Sequence, residues 1–118
     1  MEKNLKYSAL LSVYGALLTE KQFDTMEYYY DEDLSLGEIA ENTGISRQGV
    51  RDFIKRSEEA LDFYEEKLGL CEKMKNLECI EKCAEQIKKI NLGTWSNKNI
   101  ERLANEIVDN VKTLRNEG

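Results

Sequence analysis

The chain has no proline and no histidine among its 118 residues. The first absence removes the residue that breaks helices most sharply. The second removes the commonest general base and the commonest imidazole ligand for a metal. Cys71, Cys79 and Cys83 therefore have no imidazole to complete a tetrahedral zinc site, and no Cys-x2-Cys pair is present. Three is an odd number, which suits a reducing cytosol better than a disulfide framework. Cysteines at such positions are expected as small buried hydrophobes. Also lacking are a glycine-rich phosphate loop and a Ser or Cys in a nucleophile setting, so no catalytic residue, cofactor or metal is assigned and the chain is not read as an enzyme. The carboxylates Asp31-Glu32-Asp33 lack the alternating ligands, central glycine and closing glutamate of a calcium loop.

Long hydrophobic runs are missing too. The stretch Tyr7 to Leu18 follows Lys3 and Lys6 as a signal peptide would, but Ser8, Ser12 and Gly15 interrupt it and no small-residue cleavage site follows. It is also too short to span a bilayer, so a cytoplasmic chain without membrane insertion is expected.

What remains is one-third charged residues and repeated apolar spacings of three and four, the pattern of an almost wholly helical protein. At this length folding buries roughly two-thirds of the unfolded surface. Tyr7, Leu10, Leu11, Tyr14, Leu17 and Leu18 predict an amphipathic helix from about Lys6 to Leu18. Thr19 with Gln22 is a capping box that opens a second helix, facing inward through Phe23, Met26, Tyr29 and, at the edge of that face, Tyr30. Tyr28-Tyr29-Tyr30 cannot form one stacking platform, because consecutive helical residues point in three directions; packing is the expected role.

The stretch that organises the chain is Ser35 to Ser57, which has the spacing of a helix-turn-helix. Two helices crossing steeply need a small residue at closest approach, a turn residue tolerating positive φ, and an apolar wedge. Ala40 and Gly44 supply the first two; Ile39, Ile45, Val50 and Phe53 or Ile54 supply the third. Ser35 with Glu38 caps the first helix and Ser46 the second. From Arg47 the second helix continues to Leu68, with Gly69 as its C-terminal cap, giving about 22 residues and about 33 Å. Leu70, Met74, Leu77, Ile80, Ala84 and Ile87 mark another amphipathic segment. Gly93-Thr94-Trp95-Ser96 breaks it, and Ser96 or Asn97 caps a last helix carrying Ile100, Leu103, Ile107, Val111 and Leu114. The expected architecture is all-α: a winged-helix-free helix-turn-helix domain over 1–69 with its motif at 35–57, and a C-terminal extension of amphipathic helices over 70–118.

The net charge is −6, which opposes non-specific nucleic-acid binding. Its distribution is uneven: −4 over 1–35, +1 over 36–57, −3 over 58–90 and 0 over 91–118. The positive segment is the helix-turn-helix itself.

Two resemblances follow from these residues. Leu18 to Gln22, Tyr28 to Tyr30, Asp33 to Ala40 and Ile45 to Val50 look like region four of bacterial sigma factors, the module that reads promoter DNA. More closely, the whole chain resembles the YlxM family of small helix-turn-helix proteins, most specifically from about Asn4 to Gly69. That resemblance implies a cytoplasmic, helical, regulatory protein whose genes neighbour those of the signal recognition particle GTPase. The chain departs from the family's usual alanine, tyrosine and asparagine at Gly49, Arg51 and Phe53. Gly49 is expected to weaken the helix by up to about 1 kcal/mol relative to alanine, whereas Arg51 adds a charge to the groove-facing side.

The function these features favour is sequence-selective binding of double-stranded DNA. Arg47, Gln48 and Arg51 have the bidentate geometry that suits guanine and adenine edges in the major groove. Lys55 and Arg56 lie further along and suit phosphates, as do the free N–H groups at Ser46. So few basic residues on an acidic body predict weak monomeric affinity, and a homodimer through about 70–115 is expected to engage two half-sites. The alternative is an adaptor whose basic helix docks on a signal recognition particle protein or RNA without reading DNA.

Overall fold

The computed structural model describes residues 3–94 and 96–117, and every regular element among them is helical. These are α1 (Lys6–Tyr14), α2 (Glu20–Met26), α3 (Leu36–Thr43), α4 (Arg47–Leu68), α5 (Leu70–Thr94) and α6 (Lys98–Glu117). A 3-10 turn at Gly15–Leu17 and a π-helical turn at Glu27–Asp31 complete them. The all-α helix-turn-helix class expected from the sequence is the one observed. None of the described helices is long and apolar enough to cross a membrane.

Polar side chains set the helix starts. Thr19 Oγ1 accepts from the Gln22 N–H at 3.2 Å while Gln22 Oε1 accepts from the Thr19 N–H at 3.1 Å. Ser35 and Glu38 repeat the exchange at 3.1 and 3.0 Å. Each box satisfies two N–H groups that a helix start otherwise leaves unpaired. Glycines set two of the ends: Gly44 (φ 74°) closes α3 and Gly69 (φ 61°) closes α4, both in the left-handed region that Cβ disfavours elsewhere.

The first helix is shorter than Lys6 to Leu18. After Tyr14 the chain tightens into the 3-10 turn, and a Cβ on Gly15 would stand 2.7 Å from Phe23 Cε1. This close approach folds the chain back on α2 and leaves Leu17 exposed. The second helix also departs from the simple pattern, ending in π turns whose Glu32 N–H reaches the Glu27 carbonyl five residues back. Lys3 Nζ donates to the Tyr29 and Leu34 carbonyls at 2.7 and 2.8 Å, and lies 4.0 Å from the centre of the Tyr29 ring. It thereby holds the loop that leads into α3.

The chain divides into two compact units between Cys71 and Glu72. In the first, Leu10, Leu11, Tyr14, Met26, Ile39, Val50, Ile54 and Leu61 form the core, each aliphatic contributing about 1.5–3 kcal/mol by leaving water. One flank of α4 carries Glu58, Asp62 and Glu65, spaced four and three, and each accepts a tyrosine hydroxyl: Tyr30 to Glu58, Tyr7 to Asp62 at 2.7 Å, and Tyr14 to Glu65 at 2.6 Å. Tyr14 Oη also accepts from the Leu70 N–H at 2.9 Å, and Glu65 Oε1 from the Cys71 N–H at 3.0 Å. Burial together with the carboxylate partner pushes Tyr7 up to about 12 and raises Tyr14 and Tyr30 above the ordinary phenol value.

In the second unit α5 and α6 run antiparallel, tied by Arg115 to Glu81 through bonds of 2.8 and 3.4 Å. Of the two cap candidates it is Asn97 whose Oδ1 accepts from the Asn99 and Ile100 N–H groups. Trp95, in the stretch expected to break the pattern, lies outside the described residues; α5 itself runs on through Gly93 to Thr94. The inward faces differ from the expected stripes. Ala84, Asn91, Ala104, Val108 and Val111 are buried, while Met74, Ile80, Ile87, Leu103, Ile107 and Leu114 are exposed. The cysteines divide likewise: Cys71 is buried as expected, but Cys79 and Cys83 are exposed.

Candidate nucleic-acid interface

Ala40, Gly44 and the α3–α4 wedge build the candidate site. Ile39 and Val50 are fully buried at the crossing, and Ile54 rather than Phe53 fills the last wedge position, since Phe53 is only partly covered. The Gly44 N–H bonds back to the Ala40 carbonyl at 2.9 Å. Ser46 Oγ then accepts from the Gly49 N–H at 3.0 Å, which starts α4. Helix geometry leaves the N–H groups of Arg47 and Gln48 without helical partners at that end.

Gly49 has a steric reason to be glycine. A Cβ there would stand 2.6 Å from Ile45 Cγ2 and 3.2 Å from Ser46 Oγ, the capping atom. The expected propensity cost is thus accompanied by a close approach that spacing alone did not reveal.

Ser46, Arg47, Gln48, Arg51, Lys55 and Arg56 are all exposed. Among the described residues none of the four cations is held in an ion pair, so their charge is open to an incoming anion. They do not form one patch. Arg51 and Lys55 line a shallow groove of about 260 Å³ with Tyr29, Leu36, Ile54 and Glu58. Arg47 reaches back over the start of α3, its Nε 3.8 Å from where a Gly37 Cβ would be. Gln48 Nε2 donates to Asp52 Oδ1 at 3.1 Å, so reading a base would require it to leave that partner. Arg56 is a further 100° round the helix from Lys55, in a second hollow with Asp52, Lys55 and Glu59. A three-cation edge of Arg47, Arg51 and Lys55 results, with Arg56 apart from it.

Sequence reading missed Tyr29 and Leu36 as walls of this edge, and missed the tyrosine–carboxylate bonds behind it. The spacing of Glu58, Asp62 and Glu65 along one stripe of α4 was visible. Their partners, 28 to 55 residues away, were not. Among the described residues no three side chains of the ligating types converge on a metal position.

Comparison with known proteins agrees with this motif. A UPF0122 protein of Clostridium kluyveri (strain ATCC 8527) is 45% identical over 114 residues, covering 94% of this chain and 100% of the relative. One from Caldanaerobacter subterraneus subsp. tengcongensis is 53% identical over 88 residues, 70% of this chain and 75% of the relative. A third, from Clostridium acetobutylicum, is 52% identical over 82 residues, 70% and 71% of the two chains. The family model matches residues 1–107, and the chain therefore belongs to the UPF0122 family of YlxM/p13-like helix-turn-helix proteins.

Proposed function

We propose that this protein is a cytoplasmic DNA-binding regulator that lays the first three turns of α4 in the major groove, connected with the signal recognition particle pathway. The observation that carries the reading is the unpaired cationic edge of Arg47, Arg51 and Lys55 on the second helix of a helix-turn-helix. Arg51 and Gln48 would meet base edges, while Lys55, Arg56 and the N–H groups at Ser46 would hold phosphates. Affinity from so few cations on a chain of net charge −6 is modest, and two copies on two half-sites would supply the rest.

The test is retention of sheared genomic DNA by the purified protein at about 150 mM salt, where phosphate contacts alone hold weakly. Wild type should enrich fragments sharing a half-repeat, and Arg51→Glu should lose them with its helical circular dichroism unchanged. Equal retention by the variant refutes the assignment of the edge. The net charge of −6 favours a second reading, in which α4 docks on a protein of the targeting particle and not on nucleic acid; saturable binding there, without DNA enrichment, would establish it.

A further inference from the structure

Apart from Leu70, Met74 and Leu92, the α5–α6 hairpin leaves six large aliphatic side chains between 40% and 61% exposed: Ile80, Ile87, Ile90, Leu103, Ile107 and Leu114. At 100° per residue the three on α5 fall within an arc of about 80°, and the three on α6 within about 40°. On each helix the arc is offset in the same rotational sense from the buried line, which runs through Ala84 and Asn91 on α5 and Ala104, Val108 and Val111 on α6. Because Arg115 and Glu81 tie the helices antiparallel, equal offsets turn both arcs to one side of the hairpin. The six side chains thus make one continuous face.

That face is uncharged in a chain one-third of whose residues are charged. Between Asn76 and Ile90 the α5 arc adds only Asn76 and Cys83, and between Ile100 and Leu114 the α6 arc adds none. We propose that a second copy of this chain covers this face, two hairpins closing into a four-helix bundle about a two-fold axis. Two observations favour a second copy over another partner. Six half-exposed aliphatics leave on the order of 500 Å² per chain, so two faces together bury about 1,000 Å², the lower bound for a specific interface. The face also offers no charge to attract a partner of opposite sign, and none to repel its own copy.

Light scattering on the full chain should return twice the 13.7 kDa chain mass at micromolar concentration. The variants Ile87→Glu and Ile107→Glu should each return the single-chain mass with the helical spectrum retained. A monomeric wild type overturns the proposal, and a variant that remains dimeric overturns the assignment of the face. Should a variant unfold, thiol labelling of the native protein decides. Cys83 lies within the α5 arc and Cys79 at its margin, and both are exposed in the single chain. In the dimer Cys83 should label about tenfold more slowly than Cys79, and dilution should close the gap; equal rates in concentrated protein refute it. Each readout is taken without nucleic acid, so failure of the DNA reading leaves this result standing.

Discussion

Removing one oxygen atom tests how the first unit is held together. Tyr14 is 1% exposed, and its hydroxyl makes two bonds, donating to Glu65 and accepting from the Leu70 N–H. Tyr14→Phe keeps the ring and its tilted contact with Tyr64, centroids 5.9 Å apart, so packing is nearly unchanged. Lost are a hydrogen bond to a carboxylate, worth about 1.5–3 kcal/mol net, and the acceptor for a backbone N–H. The Leu70 N–H bond is only part-buried, so losing its acceptor adds less than it would for a fully buried group. The expected loss is about 2–3 kcal/mol, a large part of the usual 5–15 kcal/mol total. At about 4 °C per kcal/mol for a chain of this length, Tm should fall by about 8–12 °C. Tyr7→Phe is the internal control: its partner Asp62 is half exposed and keeps Lys6 at 3.4 Å, so about 1 kcal/mol is expected. Thermal and urea unfolding followed at 222 nm would measure both. A Tyr14→Phe cost below that of Tyr7→Phe would refute the view that buried tyrosine–carboxylate bonds fix α4 and the start of α5.

Two further outcomes follow. Because burial and neighbouring carboxylates raise the folded-state pKa of Tyr7, Tyr14 and Tyr30, their stabilisation is complete below the unfolded value of 10.0 and is lost as pH rises beyond it, for Tyr7 through about 12. Tm should therefore drop steeply above pH 10, and phenolate absorbance in the folded protein should show late-titrating tyrosines; three tyrosines ionising at their ordinary value would contradict this. Gly49→Ala gains about 1 kcal/mol of helix propensity but sets a methyl 2.6 Å from Ile45 Cγ2, an overpacking that costs about 1–3 kcal/mol. A net loss of stability on urea unfolding is expected, and a gain near 1 kcal/mol would show that Ile45 moves freely.

The elements with local rules were legible in the sequence. Capping boxes at Thr19 and Ser35, the turn at Gly44, the start of α4 at Arg47 and its end before Gly69 all depend on residues within four positions of one another, and each is where spacing placed it. Features set by distant partners were not. The early end of α1 against Phe23 and the tyrosine bonds to Glu58, Asp62 and Glu65 depend on contacts between separate helices, and the π turn at Glu27–Asp31 carries no local signal that spacing reads. The stripes of α5 and α6 held at Ala84 and Val111 and departed elsewhere for a different reason. The buried line runs through the smaller residues Ala84, Ala104, Val108 and Val111, whereas most of each expected stripe ran through larger aliphatics that lie to one side of it. At the candidate interface the residue types were readable, but the division between the Arg47–Arg51–Lys55 edge and Arg56 required the helix in place.

Charge along α4 runs against the rule that stabilises helices. Arg47, Arg51, Lys55 and Arg56 occupy its first ten residues, and its first turn holds no acidic side chain. Glu58, Glu59, Asp62, Glu65 and Glu66 occupy the half toward the C-terminus, where the backbone dipole is negative. The dipole acts within the first and last turns, so Arg47 at the start and Glu65 and Glu66 at the end each cost about 0.3–1 kcal/mol when exposed, offset in part by Lys67 in the last turn. The two halves resolve this cost differently. Three of the acids accept tyrosine hydroxyls, which stabilise them within the fold. The cations have no such partner among the described residues, so the unfavourable charge at the α4 N-terminus remains until an anion arrives. A phosphate bound there would neutralise the cations and satisfy the free N–H groups at Ser46 together. On that reasoning the local conflict and the candidate interface have a single cause, and ligand binding should stabilise the helix that makes it.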